Sequence, residues 1–145
     1  MGNSNKYQVI ANGFAERINY ELKRAERYRI FLSLVIFNFT PVIEIARNGK
    51  PKNEFFDSIN GILKKSIREI DTISNSGREK IGLLFPETSR QGAEAATKRI
   101  TDLINRYCTE YLEPGAEYII PVEISSYPDA AGARSIASFL EEFVD

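Results

Sequence analysis

The chain predicts an α/β domain of the α+β kind, with a ferredoxin-like βαββαβ core, a mostly antiparallel sheet and an extra helix at each end. Three observations lead there. Segments whose apolar residues recur at helical period alternate with apolar runs short enough to be strands. Two of those runs are joined by a few residues containing Ser76-Gly77, a hairpin connection in which glycine supplies positive φ at little steric cost. And 145 residues with 43% apolar and 27% charged content suit a single domain able to bury a core.

The elements follow in order. A first helix over residues 12–28 places Phe14, Ile18, Leu22 and Ala25 on one face and Glu16, Arg17, Lys23 and Arg24 elsewhere. Residues 30–39 form an almost unbroken run of branched and aromatic residues, which reads as a buried central strand. Pro41 ends it, and Asn48-Gly49 with Pro51 marks a loop. The next helix, over 54–70, brings Phe55, Ile59, Ile62, Leu63, Ile67 and Ile70 to one face. Of the adjacent Phe55 and Phe56, one is expected inside and the other partly exposed. Strands over 72–75 and 80–85 form the hairpin, expected beside the strand over 30–39. Thr88-Ser89-Arg90-Gln91 is a capping-box pattern opening a long helix to about Tyr111, with Ala93, Ala96, Ile100, Leu103, Ile104 and Tyr107 inward. Pro114-Gly115 breaks the chain, residues 118–126 form a last strand, and 133–144 a last helix with Ile136, Phe139, Leu140 and Phe143 inward.

Composition narrows the function. A net charge of -1 offers no broad basic face, so nucleic acid is not an expected partner. The longest apolar run, residues 30–37, is too short to span a membrane, and no charged-then-apolar leader opens the chain. One cysteine, Cys108, cannot form an internal disulfide, and a chain without histidine is a poor candidate for zinc. With no histidine to activate it, Cys108 reads as a packing residue. No metal and no cofactor are expected, and the expected location is cytoplasmic.

The most specific wording is Arg68-Glu69-Ile70-Asp71, five residues, then Gly77-Arg78-Glu79-Lys80-Ile81 leading into Gly82-Leu83-Leu84-Phe85-Pro86-Glu87-Thr88. It resembles the signature hairpin of the GGDEF family, the diguanylate cyclases of bacterial cyclic di-GMP signalling. There, Arg-x-x-Asp and a five-residue spacer precede Gly-Gly-Asp/Glu-Glu-Phe and a strand ending Leu-Pro-x-Thr. Further pieces are collinear with the family: Asn12-Gly13-Phe14, the strand wording from Leu32 to Thr40, Gly92-Ala93, Lys98-Arg99-Ile100 and Ser126-Tyr127-Pro128. The resemblance implies a palm-type sheet, which contains the βαββαβ unit derived above.

It also implies lost chemistry. The family's cyclase joins two GTP molecules with the help of divalent metal, which needs hard oxygen ligands. Where the family has an aspartate at the end of the first strand this chain has Asn38, and the second family aspartate is Thr40. The signature keeps its acidic third residue as Glu79, but its second glycine is Arg78 and its fourth, acidic residue is Lys80. The loop bearing a guanine-reading asparagine is replaced by the run from Pro41 to Ala46, and the later guanine-reading aspartate falls at Asn53. The expectation is a catalytically inactive, regulatory GGDEF-like domain, with no catalytic residues and a degenerate signature at Gly77, Arg78, Glu79, Lys80 and Ile81.

Two roles stay open. In family members with product inhibition, Arg-x-x-Asp and an arginine on the following helix bind cyclic di-GMP; the matching residues are Arg68, Asp71 and Arg99. Arginine presents a fork to guanine or phosphate and aspartate accepts from guanine N–H groups, with Lys64 and Lys65 adding positive potential nearby. Against this, Arg68 and Asp71 three apart read equally as an ordinary surface pair at a helix end. The alternative role is an interaction or dimerisation module that binds no nucleotide, with a protein partner or a second copy. Lys23, Arg24, Arg27 and Arg29 then read as a solvated helix end or as an interface patch.

Overall fold

The computed structural model describes residues 13–46, 52–74, 79–111, 118–128 and 134–143. Helix α1 (Phe14–Tyr28) leads to strand β1 (Leu32–Asn38), followed by helices α2 (Thr40–Ala46) and α3 (Lys52–Ser66). Strands β2 (Thr72–Ile73) and β3 (Lys80–Pro86), helix α4 (Arg90–Tyr111), strand β4 (Val122–Tyr127) and a 3-10 helix (Ile136–Phe143) complete the order. The four strands lie in the order β2-β3-β1-β4, and every pairing is antiparallel. β1 is central, as its unbroken apolar wording predicts, with β3 on one side and β4 on the other.

Register sorts the sheet into two faces. Val35 and Phe37, opposite Leu83 and Ile81, point to the core shared with Phe55, Ile59 and Leu63 of α3 and Ile100, Ile104 and Cys108 of α4. Leu34 and Ile36, with Leu84, point to the second core, made with Phe14, Ile18 and Ala25 of α1 and Ile136, Phe139 and Phe143 of the 3-10 helix. The two helices of the βαββαβ unit therefore share one face, and the two added helices cover the other. The result is three layers, which explains why β1 and β3 lack the polar alternation of a half-exposed sheet. At Gly82, opposite Ile36, an added Cβ would sit 2.8 Å from the rings of both Phe14 and Phe143. The missing side chain is what lets α1 and the 3-10 helix close on β3.

Several expectations are corrected. Pro41 does not open a loop: it is the second residue of α2, where its missing N–H is not needed. Asn38 Oδ1 accepts from the Thr40 N–H at 3.0 Å and so caps that helix. α3 stops at Ser66, so Arg68 and Ile70 lie in a turn beyond it, and Ile70 is exposed. Both Phe55 and Phe56 are buried, because Phe39 packs edge-on against both rings. The cap of α4 is Ser89, one residue later than the pattern suggested, with its Oγ accepting from the Gly92 N–H at 3.2 Å. Thr88 is occupied elsewhere, as shown below. The last strand starts at Val122, and the last helix is 3-10, so Ile136, Phe139 and Phe143, spaced three or four apart, line its buried side.

Candidate functional site

The two ends of β3 carry the residues singled out by the signature and by Arg-x-x-Asp. At its first end, Lys80 lies opposite Asn38 of β1, and the Phe39 N–H donates to the Glu79 carbonyl at 2.8 Å. Glu79 is exposed and its carboxylate accepts from the Thr40 hydroxyl at 3.4 Å. Lys80, one residue on, reaches Glu142 of the 3-10 helix at 3.4 Å, and Ile81 is buried in the core. Gly77 and Arg78 lie outside the described residues, as does the side chain of Asn53. The segment that replaces the family's guanine-reading loop forms α2, with Val42 buried.

A Mg²⁺ ion takes hard, mostly anionic oxygens at near-octahedral geometry. Among the described residues this corner supplies the Glu79 carboxylate and one amide oxygen already accepting from the backbone of α2, while the Glu142 carboxylate is paired with Lys80. The Lys80 ammonium lies next to Glu79 in the chain. These residues do not fit a divalent-metal site. Among the described residues no group of three or more Asp, Glu, His or Cys side chains converges as a metal site would require.

The far end of β3 is organised around Arg68. Its Nη2 donates to Asp71 Oδ1 at 2.8 Å, to the Pro86 carbonyl at 2.9 Å and to Thr88 Oγ1 at 2.8 Å, two hydrogens shared among three acceptors. Asp71 Oδ2 accepts from the Arg68 N–H at 2.8 Å and from Nε at 3.2 Å, while the Asp71 N–H returns to the Arg68 carbonyl at 3.0 Å. The four residues from Arg68 to Asp71 thus close a turn on themselves and latch it to the end of β3.

The expectation of a surface pair is half wrong. The Arg68 side chain is 51% exposed, but that of Asp71 is only 2% exposed. Burial follows from position: Asp71 immediately precedes β2, and both of its carboxylate oxygens are taken by Arg68. Arg99 lands on the same segment, its Nη2 donating at 2.9 Å to the carbonyl of Ser66, the last residue of α3. Helix C-terminal carbonyls have no partner within the helix, so Arg99 closes α3 from α4. Arg68 and Asp71 are therefore in direct contact, and Arg99 is fastened two residues before Arg68. Lys64 and Lys65 are exposed in the last turn of α3.

Sequence reasoning missed Glu21. It is buried on α1 and held by Arg17 at 3.2 Å and Arg24 at 3.1 Å, and Arg24 also reaches Glu87 at 3.3 Å. The i,i+4 and i,i+3 spacing with basic residues was the available signal. Cys108 is fully buried in the α4 core, and burial pushes its thiol up to about 11.

No family model matches the chain, and no curated protein does. Solved structures do. The GGEEF domain of a diguanylate cyclase from Vibrio cholerae superposes with TM-score 0.69 at 16% identity, over 92% of this chain and 85% of that one. The GGDEF domain of DgcB from Caulobacter crescentus, in complex with c-di-GMP, gives TM-score 0.68 at 10% identity, over 90% and 77%. Diguanylate cyclase SiaD in complex with its activator SiaC, from Pseudomonas aeruginosa, gives 0.63 at 18% identity; the match covers 89% of this chain and 49% of SiaD. The central β1, the antiparallel β2-β3-β1-β4 sheet, the two helix layers and these superpositions agree: the chain has the fold of a GGDEF domain.

Proposed function

We propose that this chain is a regulatory GGDEF-fold domain without cyclase chemistry of its own. One observation carries the proposal. At the corner where β1 and β3 end together, the Asn38 amide caps α2, Thr40 donates to the Glu79 carboxylate, and the next residue, Lys80, pairs with Glu142 of the 3-10 helix. Activating a hydroxyl against an α-phosphorus needs metal held by several hard oxygens. A neutral Asn38 and a cationic Lys80 disfavour both metal binding and the charge that develops in that reaction. The test is incubation with GTP and Mg²⁺ or Mn²⁺, followed by chromatography. No cyclic di-GMP is expected; product that disappears in Glu79→Ala would refute the proposal.

A second reading, cyclic di-GMP binding at the Arg68 corner, is favoured by the half-exposed Arg68 guanidinium, whose Nη1 lies outside the bonds to Asp71, Pro86 and Thr88, beside the Arg99-bound end of α3. Asp71 then serves to aim Arg68, since both its oxygens are engaged. The DgcB domain of the same fold carries c-di-GMP in its structure. Calorimetric titration tests it, with Arg99→Ala as the informative variant. At least about tenfold weaker binding is expected, equal to about 1.4 kcal/mol. No saturable heat at about 100 μM ligand, a free energy of about −5.5 kcal/mol, would leave the domain as an interaction module that binds no nucleotide.

A further inference from the structure

The exposed side of α1 carries Tyr20, Lys23, Arg24, Arg27 and Tyr28 at i, i+3, i+4, i+7 and i+8, one stripe along the helix, lining a groove of about 640 Å³. A second groove of about 350 Å³ shares Tyr20 and Arg24 with it and runs on to Ile70. Tyr20 is 58% exposed and Tyr28 60%, two large rings left outside the core on the same side of one helix. Surface tyrosines flanked by cations form the kind of patch that anchors protein interfaces.

The charges of the stripe are unequal. Arg24 is spent on Glu21 and Glu87. Lys23 and Arg27 have no carboxylate partner among the described residues, and the Arg27 guanidinium lies 5.5 Å from the centre of the Tyr28 ring. Two uncompensated cations, four residues apart and flanked by tyrosines, call for an anionic, partly apolar complement.

That narrows the occupant. A second copy of the chain docked through the same stripe by two-fold symmetry would set Lys23 and Arg27 against Lys23 and Arg27, which costs free energy. Nucleic acid is disfavoured because the whole chain carries a net charge of -1 and two free cations neutralise too few phosphates for useful affinity. From Tyr20 to Tyr28 the stripe is about 12 Å long, at 1.5 Å per residue. Lys23 and Arg27 therefore lie about 6 Å apart along the axis, the separation of carboxylates at i and i+4 on another helix.

We infer that the Tyr20–Lys23–Arg27–Tyr28 stripe docks an acidic helical segment of a partner protein, with carboxylates facing Lys23 and Arg27 and apolar side chains against Tyr20 and Tyr28. Such a contact deepens the regulatory role proposed above. A cyclase product would refute that role and leave the docking face standing, so the two can fail separately.

The probe is a fluorescent, alanine-rich helical peptide of about 16 residues, roughly four turns, with glutamates at i and i+4 flanked by leucines. Its counterpart has lysines in place of the glutamates. Anisotropy with the full chain should show saturable binding of the acidic peptide, weakening as salt rises. Lys23→Glu with Arg27→Glu should lower the affinity at least about tenfold and transfer preference to the lysine peptide. Tyr20→Ala with Tyr28→Ala should weaken both. All four positions are solvent-facing, and circular dichroism checks that each variant folds. Should the charge reversal fail to fold, Lys23→Gln with Arg27→Gln takes its place, with the same loss expected. Absence of binding, equal affinity for the two peptides, or unchanged affinity in the charge variants would overturn the inference. So would tighter binding of a thymidine oligonucleotide than of the acidic peptide, which would mark the stripe as a nucleic-acid contact.

Discussion

Replacing Arg68 by alanine should destabilise the fold measurably, even though half of the side chain faces water. Arg68 supplies side-chain donors to both oxygens of Asp71, at 2.8 and 3.2 Å, and Nη2 also holds the Pro86 carbonyl and the Thr88 hydroxyl. Truncation leaves the Asp71 carboxylate, whose side chain is 2% exposed, with the backbone N–H of residue 68 as its remaining described donor. Breaking a fully buried ion pair from one side costs roughly 3–5 kcal/mol. Here water can enter the space Arg68 vacates, so screening reduces the penalty toward the range of a charged hydrogen bond, about 1–3 kcal/mol. The assay is urea unfolding followed by circular dichroism, with the midpoint lowered and the slope unchanged. Arg68→Lys should recover only part of the loss, because an ammonium cannot present two parallel N–H groups to Asp71 while bonding Pro86 and Thr88. A loss below about 0.5 kcal/mol, the usual scale of a surface substitution, would show that the latch is an ornament of the surface. It would also remove the reason for treating Asp71 as an internal partner of Arg68.

Other outcomes follow from single contacts. Gly82→Ala places a Cβ 2.8 Å from Phe14 and Phe143, and overpacking of that kind costs roughly 1–3 kcal/mol; an unchanged urea midpoint would contradict the close approach of α1 and the 3-10 helix to β3. Ser89→Ala removes the side-chain acceptor for the Gly92 N–H and should cost about 1 kcal/mol, whereas Thr88→Ala should show its effect through the Arg68 latch and be largely silent in an Arg68→Ala background. Cys108 should resist iodoacetamide at neutral pH unless the chain unfolds, since burial holds the thiol protonated up to about 11. Because the unfolded thiol ionises near pH 8.5, its contribution to stability is complete below that pH and is lost as pH rises toward 11. A Cys108→Ala chain should lack that component of the alkaline slope, and identical slopes for the two chains would refute it.

Most of the fold is legible in the sequence because burial on two faces and burial on one face leave different patterns. The nearly continuous apolar run from Leu32 to Phe37 has no solvent side, although Phe31 just before it is exposed, and only a central strand between two helix layers meets that condition. Helical spacing likewise places Ile18, Ile59 and Ile100 inward, each 0% exposed. The three layers were less visible: amphipathic terminal helices declare a buried face, but the sheet face that receives them depends on strand register, with Gly82 opposite Ile36. Pro41 shows the limit of local signals, since a proline that ends a strand also suits the first turn of a helix, and the choice rests on Asn38 reaching back to Thr40. The Arg-x-x-Asp wording named the right residues at the far end of β3, but not their state. A spacing of three says that Arg68 and Asp71 can meet; it cannot say that Asp71 lies beneath the surface or that Pro86 and Thr88 share the same guanidinium. Those contacts span 18 and 20 residues of chain, and only the packing of the turn after α3 against the end of β3 brings them together.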